Sequence, residues 1–117
     1  MEKPIDIKEK MAMSYALWEK HKETWAPMRA EHGKTFILFM IEEIGEAIAI
    51  IKKKGETEIM ENTEVRHQFI EEMCDVMMYY SDVLNRFGVT PEEYSKIYRS
   101  KFTANMERDF EMDHANS

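Results

Sequence analysis

Apolar residues recur along this chain at alternating spacings of three and four, and nowhere do they alternate with polar ones over a strand's length. That is the periodicity of helical faces, and it predicts four helices. Asp6, with Glu9 three residues on, reads as a capping box that opens the first. Ile7, Met11, Ser14, Trp18, His21 and Trp25 then share one face. Pro27 and Gly33 bracket a short connection. A second helix is predicted from about Thr35 to Lys54. One stripe on it holds Phe36, Phe39, Met40, Ala47 and Ile50; another holds Ile37, Ile41, Ile44, Ile48 and Ile51. Two apolar stripes predict a helix buried around most of its circumference. Lys52, Lys53 and Lys54 suit its C-terminus, and Gly55 ends it. Residues 55 to 62 are polar and read as a loop. A third helix is predicted from about Thr63 to Phe87, with Phe69, Met73, Val76, Tyr80, Val83, Leu84 and Phe87 as its apolar face and Gly88 as its terminator. Thr90, Pro91 and Glu93 supply the cap, first turn and returning acid of a fourth, expected to run to about Met112.

Composition narrows what such a bundle does. The 117 residues, with 4 Gly and 3 Pro, make a single domain, 1–117, with few breakers. A formal net charge of −7 argues against a nucleic-acid partner, which calls for a basic face. The single Cys excludes a disulfide framework and a multi-cysteine zinc site. The longest apolar run, Phe36 to Ile41, is too short to span a bilayer, and the charged N-terminus has no signal core. The expected setting is therefore cytoplasmic, with no membrane partner. Met numbers 11, which suits a deformable core or a subunit interface.

The informative residues are carboxylates in apolar helical contexts. Glu43 lies between Met40 and Ala47 on an apolar stripe of the second helix, and Glu46 is close to the same line. In the third helix Glu72 and Asp75 are flanked by Phe69, Val76 and Tyr79. Each pair is spaced i, i+3 and faces one way. Antiparallel packing of the two helices would bring four carboxylates to one place. Four such anions repel one another and are costly to desolvate. Either some keep their protons, or a multivalent cation sits among them. All-oxygen ligands select a hard ion, Mg²⁺ or Mn²⁺. A di-iron bundle is a rival, since Glu64-x-x-His67 and Glu111-x-x-His114 have its ligand spacing. Both lie near helix ends, where side chains are poorly held, and the paired acids would be left unexplained.

Glu42-Glu43-x-x-Glu46, a 25-residue gap, then Glu72-x-x-Asp75, resembles the signature of the MazG-type all-α nucleoside triphosphate pyrophosphohydrolases. Lys101-x-x-x-Asn105-x-x-Arg108 is similar to the basic segment of that family's last helix. The match covers roughly residues 35–110. The resemblance implies an all-α, four-helix MazG-like bundle completed by oligomerisation. It implies Mg²⁺-dependent hydrolysis of a nucleoside triphosphate to the monophosphate and pyrophosphate. Glu43, Glu46, Glu72 and Asp75 match the metal ligands. Glu42 matches an acid that binds a further metal or positions the attacking water. Lys101, Asn105 and Arg108 match residues that meet the phosphates or support the acids.

Trp18, His21 and Trp25 have two readings: a pocket that stacks on a nucleobase, or a packing seam, the commoner role of aromatics at helical spacing. His32, in the connection before the second helix, is a further candidate for nucleotide contact. The excess of apolar helix surface predicts a homodimer or homotetramer. The runner-up function is a non-catalytic helical domain that binds nucleotide or metal. A third is a helical interaction protein with an acidic surface.

Overall fold

The computed structural model describes residues 2–108. Among them the chain forms five α-helices and no strand: α1 (Ile7–His21), α2 (Gly33–Lys54), α3 (Glu56–Glu61), α4 (Thr63–Arg86) and α5 (Pro91–Glu107), with a 3-10 turn at Ala30–His32 before α2. Local chemistry sets several of these boundaries. Asp6 accepts from the Glu9 N–H at the start of α1, Asn62 from the Glu64 and Val65 N–H groups at the start of α4, and Thr90 from the Glu93 N–H at the start of α5. These side chains satisfy N–H groups that have no partner within the helix. Gly55 and Gly88 take positive φ, 87° and 68°, and stop α2 and α4.

Two departures from the four-helix expectation have physical causes. The polar stretch after Gly55 is a short helix, not a loop. Acids in its first turn suit a helix N-terminus, and Ile59, 7% exposed, anchors it in the groove between α2 and α4. Six residues hold a helix only through such packing, so periodicity gave no sign of it. The second departure is the end of α1 at His21, short of Trp25. The N–H groups of Thr24 and Trp25 both turn back to the His21 carbonyl, and Trp25 stands on the connection to α2. The predicted continuation of the last helix to Met112, and Glu111 to His114 with it, lies outside the described residues.

The centre of the fold is an antiparallel pair, α2 against α4. Its register is legible from its contacts: the space at Gly33 is filled by the Phe87 ring, the Phe36 ring meets Tyr79, and Glu43 faces Glu72 and Asp75. Helix α1 lies along α4, tied by the Asn85 amide donating to the Met11 carbonyl and the Ser14 hydroxyl donating to the Met78 carbonyl. Helix α5 lays its backbone beside α1 and reaches α4 through the Tyr80–Tyr94 hydroxyl hydrogen bond of 2.9 Å.

Few apolar side chains are buried among the described residues: Met11, Ala47, Ile59 and Val65. The first stripe of α2 packs inward in part, through Phe36, Met40, Ala47 and Ile50. The second does not: Ile37, Ile41, Ile44 and Ile48 are exposed. The expected burial around most of α2 is therefore not met within one chain, because α4 and α3 cover only one side of it. No helix of the described residues is long and apolar enough to cross a membrane.

Candidate functional site

The α2–α4 crossing brings together acids that are far apart in sequence. Glu43, Glu72 and Asp75 are each half-buried, and one carboxylate oxygen from each lies within 4.8 Å of the others. Glu43 feels this most. Its carboxyl is pushed above the ordinary carboxylate range, first by burial, then by a hydrogen bond shared with Glu72, then by the charges of Asp75, Glu72 and Glu46. Glu46 adds charge but contributes no oxygen to the cluster, and it is exposed. It follows Glu43 by three residues on α2, close enough for its charge to act on that carboxyl. Glu42 is exposed on α2 beside Glu43.

The donor set fits a hard divalent cation. Three oxygens leave positions for water or phosphate oxygens around Mg²⁺, which retains several such ligands at protein sites. The raised Glu43 value reflects its burial first and the neighbouring acids second, and a divalent cation among the three groups would offset both.

A cleft of about 240 Å³ opens from these acids, with Glu43 and Asp75 in its wall. Asp75, Tyr79 and Asp82 follow one face of α4 at spacings of four and three, so the lining extends about 10 Å along the helix. Phe36 from α2 and Trp25 from the connection complete its aromatic part. The Tyr79 hydroxyl is pushed up by burial and then by Glu43 and Asp75, so it remains a neutral hydroxyl at neutral pH.

Arg86 braces two of the residues that line the cleft, Asp82 and Phe36. Its side chain has no exposed surface. Nε donates to Asp82 Oδ1 at 2.5 Å and Nη1 to the Pro27 carbonyl at 2.6 Å. The guanidinium carbon lies 3.7 Å from the centre of the Phe36 ring, a cation–π contact. One side chain thus joins α4, α2 and the connection that carries Trp25.

The three aromatic candidates near α1 take different places. Trp25 lines the cleft. His21 stacks on it with ring centres 4.6 Å apart. Trp18 is turned to packing: its indole N–H donates to the Ala26 carbonyl at 2.8 Å and its ring tilts against Tyr15. His32 pairs with Glu31 at 3.8 Å. Lys101, Asn105 and Arg108 lie on α5 or at its end; the α5 backbone runs beside α1 and not beside α2. His67, of the di-iron pattern, is a surface residue paired with Glu71 at 3.2 Å.

Phe36, Tyr79, Asp82 and Arg86 were not among the sequence candidates for the site. A signal for them exists, since Asp75, Tyr79, Asp82 and Arg86 recur at four, three and four along α4. A charged residue on that line reads as a break in the apolar face, and only the fold shows that it lines a cleft.

Comparisons with protein-family models, with curated proteins and with solved structures find no match to this chain.

Proposed function

We propose that the chain is a Mg²⁺-dependent nucleoside triphosphate pyrophosphohydrolase of the MazG type, releasing the monophosphate and pyrophosphate by attack of water at the α-phosphorus. The observation that carries this reading is the Glu43–Glu72–Asp75 cluster opening into a cleft walled by Trp25 and Phe36. One part suits phosphate-bound metal and the other the flat faces of a base. The acid motif and its spacing, which resemble that family, support the same reading.

Glu43, Glu72 and Asp75 would hold Mg²⁺, which when bound neutralises phosphate charge and lowers the pKa of a coordinated water. A chain of net charge −7 otherwise repels a triphosphate. Glu42 is given the role of orienting the attacking water or taking its proton, and Glu46 that of a further ligand. Lys101, Asn105 and Arg108 are assigned to the leaving pyrophosphate. The roles of Glu42, Glu46 and these three rest on the resemblance.

We also propose that the working unit is a homodimer or homotetramer. Exposed Ile37, Ile41, Ile44 and Ile48 form a continuous stripe on α2, and a second copy would cover it as α4 covers the opposite side.

The test is a panel of triphosphates assayed for pyrophosphate release with Mg²⁺ in ¹⁸O-labelled water. The expected label is in the monophosphate, with turnover lost in Glu72→Gln and in Asp75→Asn. Label in orthophosphate or pyrophosphate overturns the site of attack. Saturable nucleotide binding without turnover replaces the enzyme with a non-catalytic binding domain.

A further inference from the structure

Asp82 is an unusual residue to find in the wall of an aromatic cleft. It is 6% exposed, and burial of a carboxylate is costly unless the charge is paired. Arg86 supplies the pairing, but unevenly. Nε donates to Oδ1 at 2.5 Å, whereas Nη2 lies 3.5 Å from Oδ2. Oδ2 is therefore the less satisfied oxygen of a carboxylate that lines the cleft with Trp25 and Phe36. A permanently charged guanidinium makes its partner an acceptor. Arg86 is itself fixed by the Pro27 carbonyl and the Phe36 ring, so it stays in place and Asp82 cannot swing away without losing its partner.

We propose that Asp82 is a specificity-determining residue of the cleft and selects nucleotides whose base presents an exocyclic amino group, as cytosine and adenine do, over their keto counterparts. The inference rests on the nucleotide reading of the site. A base that lies flat on either of the aromatic residues Trp25 and Phe36 turns its edge, rather than its face, toward the rest of the cleft wall. An amino group donates to the waiting carboxylate. A keto oxygen in its place sets lone pair against lone pair. In uracil the one ring N–H lies between two keto oxygens, so a carboxylate that meets it meets their lone pairs as well. Oδ2, held only by the long contact to Nη2, keeps capacity to accept, and a site with a buried acceptor rejects a ligand that sets another acceptor against it.

The experiment is calorimetric titration of the wild-type chain, with Mg²⁺ present, against cytidine and uridine monophosphates and against adenosine and inosine monophosphates. The expected result is that the amino member binds at least about tenfold tighter in each pair that binds. In Asp82→Asn, whose amide offers both donor and acceptor, the ratio should fall toward one, with folding checked by its melting curve. The wild-type comparison stands even where that variant does not fold. Equal affinities within the pairs, a keto preference, or an unchanged ratio in folded Asp82→Asn overturns the role of Asp82 and leaves the hydrolase reading intact. Failure of all four to bind, with no triphosphate turned over, removes the nucleotide reading and this inference with it.

Discussion

Arg86 and Asp82 form the one buried ion pair among the described residues, and their value depends on their staying together. Removing one partner leaves a charge in a place built to exclude water. Arg86→Ala should therefore lower stability by about 3–5 kcal/mol in urea unfolding, since Asp82, the Pro27 carbonyl and the Phe36 ring all lose their partner. Arg86→Met with Asp82→Asn should cost clearly less than the sum of the single changes; additive costs would show that the pair is not coupled. Glu43 makes a second prediction at this scale. Its carboxyl is raised in the folded chain, so the folded state holds that proton more firmly than the unfolded state does. The associated stability is present in full below the unfolded value of 4.5 and is lost as pH rises through the raised folded value. Asp82 has the same sign, from burial that outweighs the opposing pull of Arg86. In chelator, the stability difference between wild type and Glu43→Gln should therefore move against wild type as pH rises above 4.5. Mg²⁺ should reverse that trend for wild type alone. A difference that is flat with pH would mean that neither burial nor the neighbouring acids raise Glu43.

At the scale of elements, the connection between α1 and α2 carries the cleft's outer ring and is pinned from two sides. The Trp18 indole holds the Ala26 carbonyl, and Arg86 holds the Pro27 carbonyl. Trp18 is therefore a packing residue, whereas Trp25 lines the cleft. Trp18→Phe removes a hydrogen bond from a half-buried carbonyl and should cost about 1–2 kcal/mol of stability. Trp25 is 39% exposed, so Trp25→Ala should change stability little while weakening nucleotide binding several-fold. Melting curves and nucleotide titrations of the two variants check this, and the opposite pattern would exchange their roles. Short helix α3 shows how an element can exist without a periodic signature: Ile59 alone gives it an inside.

The described part of the molecule buries few apolar side chains. Its central helix is covered on one side by α4 and α3 and exposes isoleucines on the other. If a second copy covers that stripe, Ile41→Glu should shift the sedimentation coefficient from that of an oligomer to that of a monomer, because a charge would be buried unpaired at the interface. A wild-type chain that sediments as a monomer at micromolar concentration would end the oligomer reading. The same coverage would protect α2 amides from hydrogen exchange in a concentration-dependent way.

Short-range chemistry is what the sequence determined by itself. Asp6 and Thr90 accept from the N–H groups three residues on, and Gly55 and Gly88 adopt the backbone that stops a helix. Such interactions are complete within a turn or two of chain, so composition and spacing suffice to read them. Glu72 with Asp75 on one face of one helix was legible for the same reason, as was Glu43 on the helix opposite. The tertiary structure alone decided the rest. The register of α2 against α4 placed Glu43 beside Glu72 and Asp75 and left Glu46 exposed and outside the cluster. The turn after His21 moved Trp25 off its helix and into the cleft wall. The crossing also placed Asp82 in that wall with Arg86 behind it. An apolar stripe records that a surface avoids water, but not which surface covers it. An acid on a helix records a charge, and only the register of the packed helices decides what that charge faces.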